Sequence, residues 1–130
     1  MDENKKLTRR EEREEVIKKL YEIDINNETI SFLGESIFVN ESVAGVQAFL
    51  KEIDDIITKN LTNWKINRLT YVDRAIIRFA TYEMYNTDTP HEIVINEALN
   101  LTKKYSDEGD KKMVGFTNKV LDNIKKYLKK

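Results

Sequence analysis

The sequence predicts an all-α protein, one compact domain of about seven helices that divides into two three-helix halves. Three observations carry this. Apolar residues recur at spacings of three and four along nearly the whole chain, the period of an amphipathic helix. No stretch alternates at period two for long enough to make a strand. Helix-start patterns occur at Thr8 to Glu11, Thr70 to Asp73 and Thr89 to Glu92. A chain of 130 residues suits one domain with a real core. A division near residue 60 separates halves at 1–60 and 61–130, with no flexible linker between them.

Taken in order, Thr8 caps a first helix whose stripe is Val16, Ile17, Leu20, Tyr21 and Ile23. Arg9, Arg10 and Arg13 fall in its opening turns, beside the positive end of the helix dipole. Glu11, Glu12, Glu14 and Glu15 offset that placement. Residues 29–39 read as a short second helix, and Asn40 to Ser42 as the next turn. From Val43 to Leu61, the residues Val43, Val46, Phe49, Leu50, Ile53, Ile56 and Ile57 predict one strong amphipathic helix. Residues 61–69 are expected to form a short helix or an irregular bridge, with Trp64 in the core or at a seam between the halves.

The central element is the stretch from Thr70 to Tyr85. Val72, Ile76, Phe79, Ala80 and Glu83 share helical spacing, and Ala75, Ile77 and Met84 widen the apolar arc. So broad an arc predicts a buried helix packed on more than one side. Arg74 and Arg78 lie one turn apart on one edge. Next, Thr89 reads as an N-cap with Pro90 at the first helical position. The helix it starts runs to Tyr105, with Ile93, Val94, Ala98, Leu101 and Tyr105 inward. The last helix buries Met113, Phe116, Thr117, Val120, Leu121, Ile124 and Leu128, and faces its lysines outward.

The composition narrows the function. There is no cysteine, hence neither a disulfide framework nor a thiolate metal site. The amino terminus lacks the apolar run of a signal peptide, and no apolar run approaches a membrane span. A cytoplasmic location is expected. The one histidine, His91, sits on a capping turn and reads as surface. Asp54 and Asp55 are adjacent, as are Glu14 and Glu15, so neither pair shares a helix face. No serine has an evident base, and no Gly-rich phosphate loop is present. The expectation is a protein that is not an enzyme and holds no cofactor.

Binding has positive support. The net charge is only −1, but it is unevenly spread. Residues 5–13 carry five basic and two acidic residues, and residues 103–130 carry nine lysines and four acids. Residues 22–62 reverse this, with two lysines and eight acids. Two basic ends that met in space would make a one-sided field for a polyanion. Lys5, Lys6, Arg9, Arg10 and Arg13 form a basic cluster, which reads either as a solvated helix end or as a phosphate grip. Tyr105 and Phe116 flank the acidic loop; core packing and stacking on an unpaired base are both open to them.

Four blocks in register resemble the NusB family of bacterial transcription antitermination factors. The first is the arginine-rich opening from Arg9 to Glu14 with Lys19, Leu20 and Tyr21. The second runs from Asn63 and Trp64 through Arg68 and Leu69 to Asp73–Arg78, Tyr82 and Glu83. The third is Pro90 to Lys104, including Val94 to Ala98. The fourth is Phe116 to Asp122. The resemblance implies two three-helix bundles and no enzymatic activity. It also implies binding to the boxA element of single-stranded RNA together with the small-subunit ribosomal protein NusE. That assembly helps RNA polymerase read through terminators in ribosomal RNA operons.

By position, Arg9, Arg10 and Arg13 correspond to the family's RNA-contacting motif, with Lys5, Lys6 and Lys104 adding charge. Arg78, Tyr105, Phe116 and Asn118 match positions near the RNA path. Tyr21 and Asp73 match the surface that meets the ribosomal protein. Some relatives self-associate, so a homodimer stays open. The chain departs from the family in holding Gly115 before Phe116 and Lys119 after Asn118, where Lys and Gly are usual, and in a longer 106–112 loop. Two other readings are an accessory module of the kind fused to ribosomal RNA cytosine methyltransferases, and a helical protein-interaction scaffold.

Overall fold

The computed structural model describes residues 6–27, 34–106, 109 and 111–129. Among these are six α-helices and one 3-10 turn, against the seven or so helices expected: α1 (Arg9–Asn26), α2 (Ile37–Ala48), α3 (Leu50–Lys59), the turn Ile66–Arg68, α4 (Tyr71–Asn86), α5 (His91–Tyr105) and α6 (Lys112–Leu128). No described residue lies in a strand. No described helix is long and apolar enough to cross a membrane.

The capping box of α1 is complete. Glu11 N–H donates to Thr8 Oγ1 at 3.1 Å, and Thr8 N–H donates to Glu11 Oε1 at 2.8 Å. Asn27 closes the helix in the left-handed region at φ 53°, a conformation asparagine tolerates better than most residues. At the start of α2, Ser36 Oγ accepts from Val39 N–H at 3.1 Å and also donates to the Glu12 carboxylate. This ties the entry of α2 to α1.

Two expected boundaries in this region shift. Of the predicted 29–39 helix, residues 29–33 lie outside the described set, residues 34–36 are not helical, and residues 37–39 open α2. Asn40 to Ser42, read as a turn, are inside α2. Asn40 suits that place because its side chain reaches back to Gly34, donating to the carbonyl at 2.9 Å and accepting from the N–H at 3.0 Å. The single helix expected from Val43 to Leu61 is two, parted at Phe49 (φ −108°, ψ 21°). The break lets α2 stay against α1 while α3 crosses to α6. Periodicity hardly registers a bend of one residue, because both halves still present an apolar face.

As expected, α4 is the centre. It packs against each of the other five α-helices and buries Ala75, Ile76, Ile77, Phe79, Ala80 and Met84. One apolar cluster runs through it, from Val16, Val43 and Ile57 to Val94, Leu121 and Ile124. The start of α5 differs by one residue. Pro90, with ψ 137°, is the cap rather than the first helical residue, and no side chain caps that end. Glu92 instead meets Lys125 of α6 at 3.2 Å. Ile93 and Tyr105, expected inward, are 48% and 36% exposed.

Candidate nucleic-acid interface

Two side-chain ion pairs link α1 to α5, and with them Arg10 of one basic end and Lys104 of the other. Arg10 Nε and Nη2 donate to Glu97 at 3.3 and 3.2 Å. One turn on, Glu14 accepts from Lys104 Nζ at 2.8 Å. Both cations stay in water, with 63% and 56% of their side chains exposed. The hydrogen bond from Arg10 to Glu97, reinforced by the charge of Glu97, raises the Arg10 pKa above its ordinary value. The bond to Glu14 does the same for Lys104. Their charge is therefore fixed at any physiological pH.

Arg9 is also half in solvent. It pairs with Glu12 at 3.3 Å, and its guanidinium lies 3.9 Å from the centre of the Phe38 ring, a cation–π contact that limits its sweep. Lys6 is exposed. Lys5 lies outside the described residues. Tyr105, at the end of α5, has Lys104 Nζ 5.6 Å from its ring centre. Asn118 and Lys119 are exposed on α6. Phe116 is half-buried, so it serves the core and the surface together. Gly115 faces open space, and Lys119 stands one turn from Phe116 on the same side of α6.

Three residues expected at contact surfaces lie elsewhere. Arg13 is 6% exposed and both its bonds go to the buried carboxylate of Glu83. Three residues after Arg10, Arg13 is turned by about 60° around α1, enough to carry it from the exposed edge into the α1–α4 seam. Arg78 is held by Asp54, through Nε at 2.9 Å and Nη2 at 2.8 Å, and approaches Asp24 at 3.4 Å. Asp24 belongs to the far end of α1, about 20 Å along the helix from Arg10, so Arg78 is not part of the same patch. Asp73, expected where the ribosomal protein docks, is 2% exposed. Its Oδ2 accepts from Thr70 Oγ1 at 2.8 Å, while Oδ1 is buried with no partner among the described residues. Beside it on the chain, Tyr71 is 42% exposed and meets Tyr21 edge to face at 6.3 Å.

Trp64, expected in the core or at a seam, is 52% exposed. It follows Asn63, which turns the backbone at φ 66°, and it meets Phe116 edge-on at 6.0 Å. The polar residues around it, Asn60, Thr62, Asn63 and Lys65, are the available sign that this ring is not interior.

An all-helical fold with exposed cations on α1 and α5 and aromatic rings at the end of α5 and the start of α6 has the chemistry of a protein that binds a polyanionic strand. Comparison with known proteins gives this class its family. The NusB family model matches residues 6–126, and the chain belongs to the NusB family. It is 41% identical over 128 residues to the transcription antitermination protein NusB of Bacillus subtilis (strain 168), covering 92% of this chain and 95% of that one. It is 38% identical over 132 residues to the NusB of Staphylococcus aureus (strain MRSA252), covering 92% and 100%. Among solved structures, T. maritima NusB superposes with a TM-score of 0.79 at 31% identity, covering 94% of this chain and 93% of that one. A structure of the antitermination factors NusB and NusE in complex with dsRNA superposes with a TM-score of 0.77 at 28% identity, covering 92% and 96%.

Proposed function

We propose that this protein is a non-enzymatic transcription antitermination factor of the cytoplasm. It binds boxA-type RNA together with ribosomal protein NusE and promotes read-through of ribosomal RNA operons by RNA polymerase. Membership in a family of NusB antitermination proteins supports this, as does a solved relative in complex with NusE and dsRNA. The single observation that carries the site is the pair of exposed cations, Arg10 on α1 and Lys104 on α5, each in an ion pair that links the two helices, with Arg9 beside Arg10 in the chain. These groups hold the phosphates. Tyr105, Phe116 and Asn118 then meet unstacked bases, because unpaired loops and strands are where RNA exposes base faces and edges to side chains. Tyr21 and Tyr71 form the side that NusE covers.

The test is binding of labelled boxA-like RNA, with NusE present, by the wild type and by the Arg9→Ala, Arg10→Ala double variant. The variant is expected to bind more weakly and with a shallower dependence on salt. Equal affinity and equal salt slopes would place the RNA elsewhere.

A further inference from the structure

Between Asp55 and Asp73 the chain carries no acidic residue, yet it places Lys59, Lys65 and Arg68 there. Trp64, the one tryptophan of the protein, stands in the middle of this stretch and is half in solvent. A large indole left half out of the core forgoes the burial of much apolar surface, so its position invites a role. Phe116 props the ring from one side at an interplanar angle of 66°. Phe116 in turn leans on the core, which makes the prop rigid. Lys65 and Arg68 are exposed on the Trp64 segment, and Lys119 is exposed one turn beyond Phe116. An aromatic face edged by cations, on a stretch of chain free of acids, is the chemistry by which proteins hold single-stranded nucleic acid: the ring stacks a base and the cations follow the backbone. A protein partner docking on the same rings would favour few lysines as well as few acids, whereas this stretch keeps Lys59 and Lys65.

We propose that Trp64, backed by Phe116, is a stacking platform for an unpaired RNA base, with Lys65, Arg68 and Lys119 holding the flanking phosphates. This extends the RNA path from the α1–α5 cation row around the start of α6 to the segment before α4, and it rests on the RNA reading above. The platform is sequence-tolerant, because every base offers a π-face.

Because there is one tryptophan, 5-fluorotryptophan gives a single 19F resonance that reports this ring in any complex. The full chain is titrated with labelled boxA-like RNA, with NusE alone, and with both, while RNA affinity is read separately by anisotropy. The 19F signal should move on adding RNA. Trp64→Ala should weaken RNA binding by roughly 5- to 150-fold, the range that follows from removing one base–aromatic stack. Trp64→Phe should recover most of the affinity. RNA that binds tightly while the 19F signal stays still and Trp64→Ala matches the wild type overturns the platform and leaves the wider RNA reading intact. A signal that moves with NusE alone and not with RNA makes the ring a protein contact and also overturns it. No RNA binding by the wild type with NusE present sinks both. If Trp64→Ala does not fold, the wild-type resonance and the Phe variant decide.

Discussion

Arg13 on α1 and Glu83 on α4, 70 residues apart in the chain, form a two-bond ion pair inside the protein. The distances are 3.0 and 2.9 Å, and the side chains are 7% and 3% exposed. Its neighbours Arg9 and Arg10 remain at the surface. One short motif therefore splits into two jobs: an arginine that joins α1 to the central helix, and two that face solvent.

Removing one partner of such a pair strands the other charge away from water. Arg13→Ala or Glu83→Ala should cost about 3–5 kcal/mol of stability, read as a lower urea midpoint. The effect on RNA should come through the loss of folded protein alone. At a temperature where Arg13→Ala is fully folded, its RNA affinity should match the wild type. A reduced affinity in the folded variant would return Arg13 to the contact surface.

Arg10 makes the opposite case. Its bond to Glu97 is exposed, and exposed pairs contribute little to stability. Arg10→Ala should leave the urea midpoint nearly unchanged while weakening RNA binding. The salt slope should fall by about 0.7 for each phosphate of a single strand that the variant no longer holds. Glu97→Gln should act in the other direction, since a phosphate no longer has to displace a carboxylate from the guanidinium. Tighter RNA binding by Glu97→Gln is expected in direct titration; weaker binding would mean that Glu97 orients Arg10 rather than competing for it.

These contrasts show what the sequence could and could not tell. The helices are legible because burial imposes a period, and α4 stands out as central because apolar residues cover most of its circumference. The caps at Thr8 and Thr70 are legible because they are local hydrogen bonds between residues three apart. The bend at Phe49 is hidden because the period continues through it. The fate of each arginine is also hidden, since Arg10 and Arg13 differ only in which way the helix turns them, and their partners Glu97 and Glu83 are distant in the chain. Trp64 misleads because size and apolarity point inward by default, whereas its acid-free polar surroundings point outward.

Gly45 lies inside α2, where alanine would ordinarily be better by about 1 kcal/mol. Here a Cβ would overlap the ring of Tyr82 on α4, against both its Oη and its ring carbons. Gly45→Ala should therefore destabilise the protein by about 1–3 kcal/mol, the usual cost of overpacking, despite the gain in helix propensity. Tyr82→Leu should relieve much of that cost when combined with it. Chemical denaturation of the two single variants and the double variant measures the coupling; simple additivity would show that the ring swings aside freely.

Tyr82 also makes stability depend on pH on the alkaline side. Burial raises its pKa above the ordinary 10.0, and the nearby charges of Glu41 and Glu83 push the same way. In the folded protein the phenol thus holds its proton to higher pH than in the unfolded chain. The sign follows from proton counts: between the two pKa values the native state binds more protons, so stability falls as pH rises. The contribution is fully present below pH 10 and is lost as pH climbs through the raised folded value. Tyr82→Phe removes the titrating group and keeps the ring. Urea midpoints taken from about pH 8 to about pH 11 should fall more steeply above about pH 10 for the wild type than for this variant. Parallel curves for the two proteins would assign the alkaline loss to other groups.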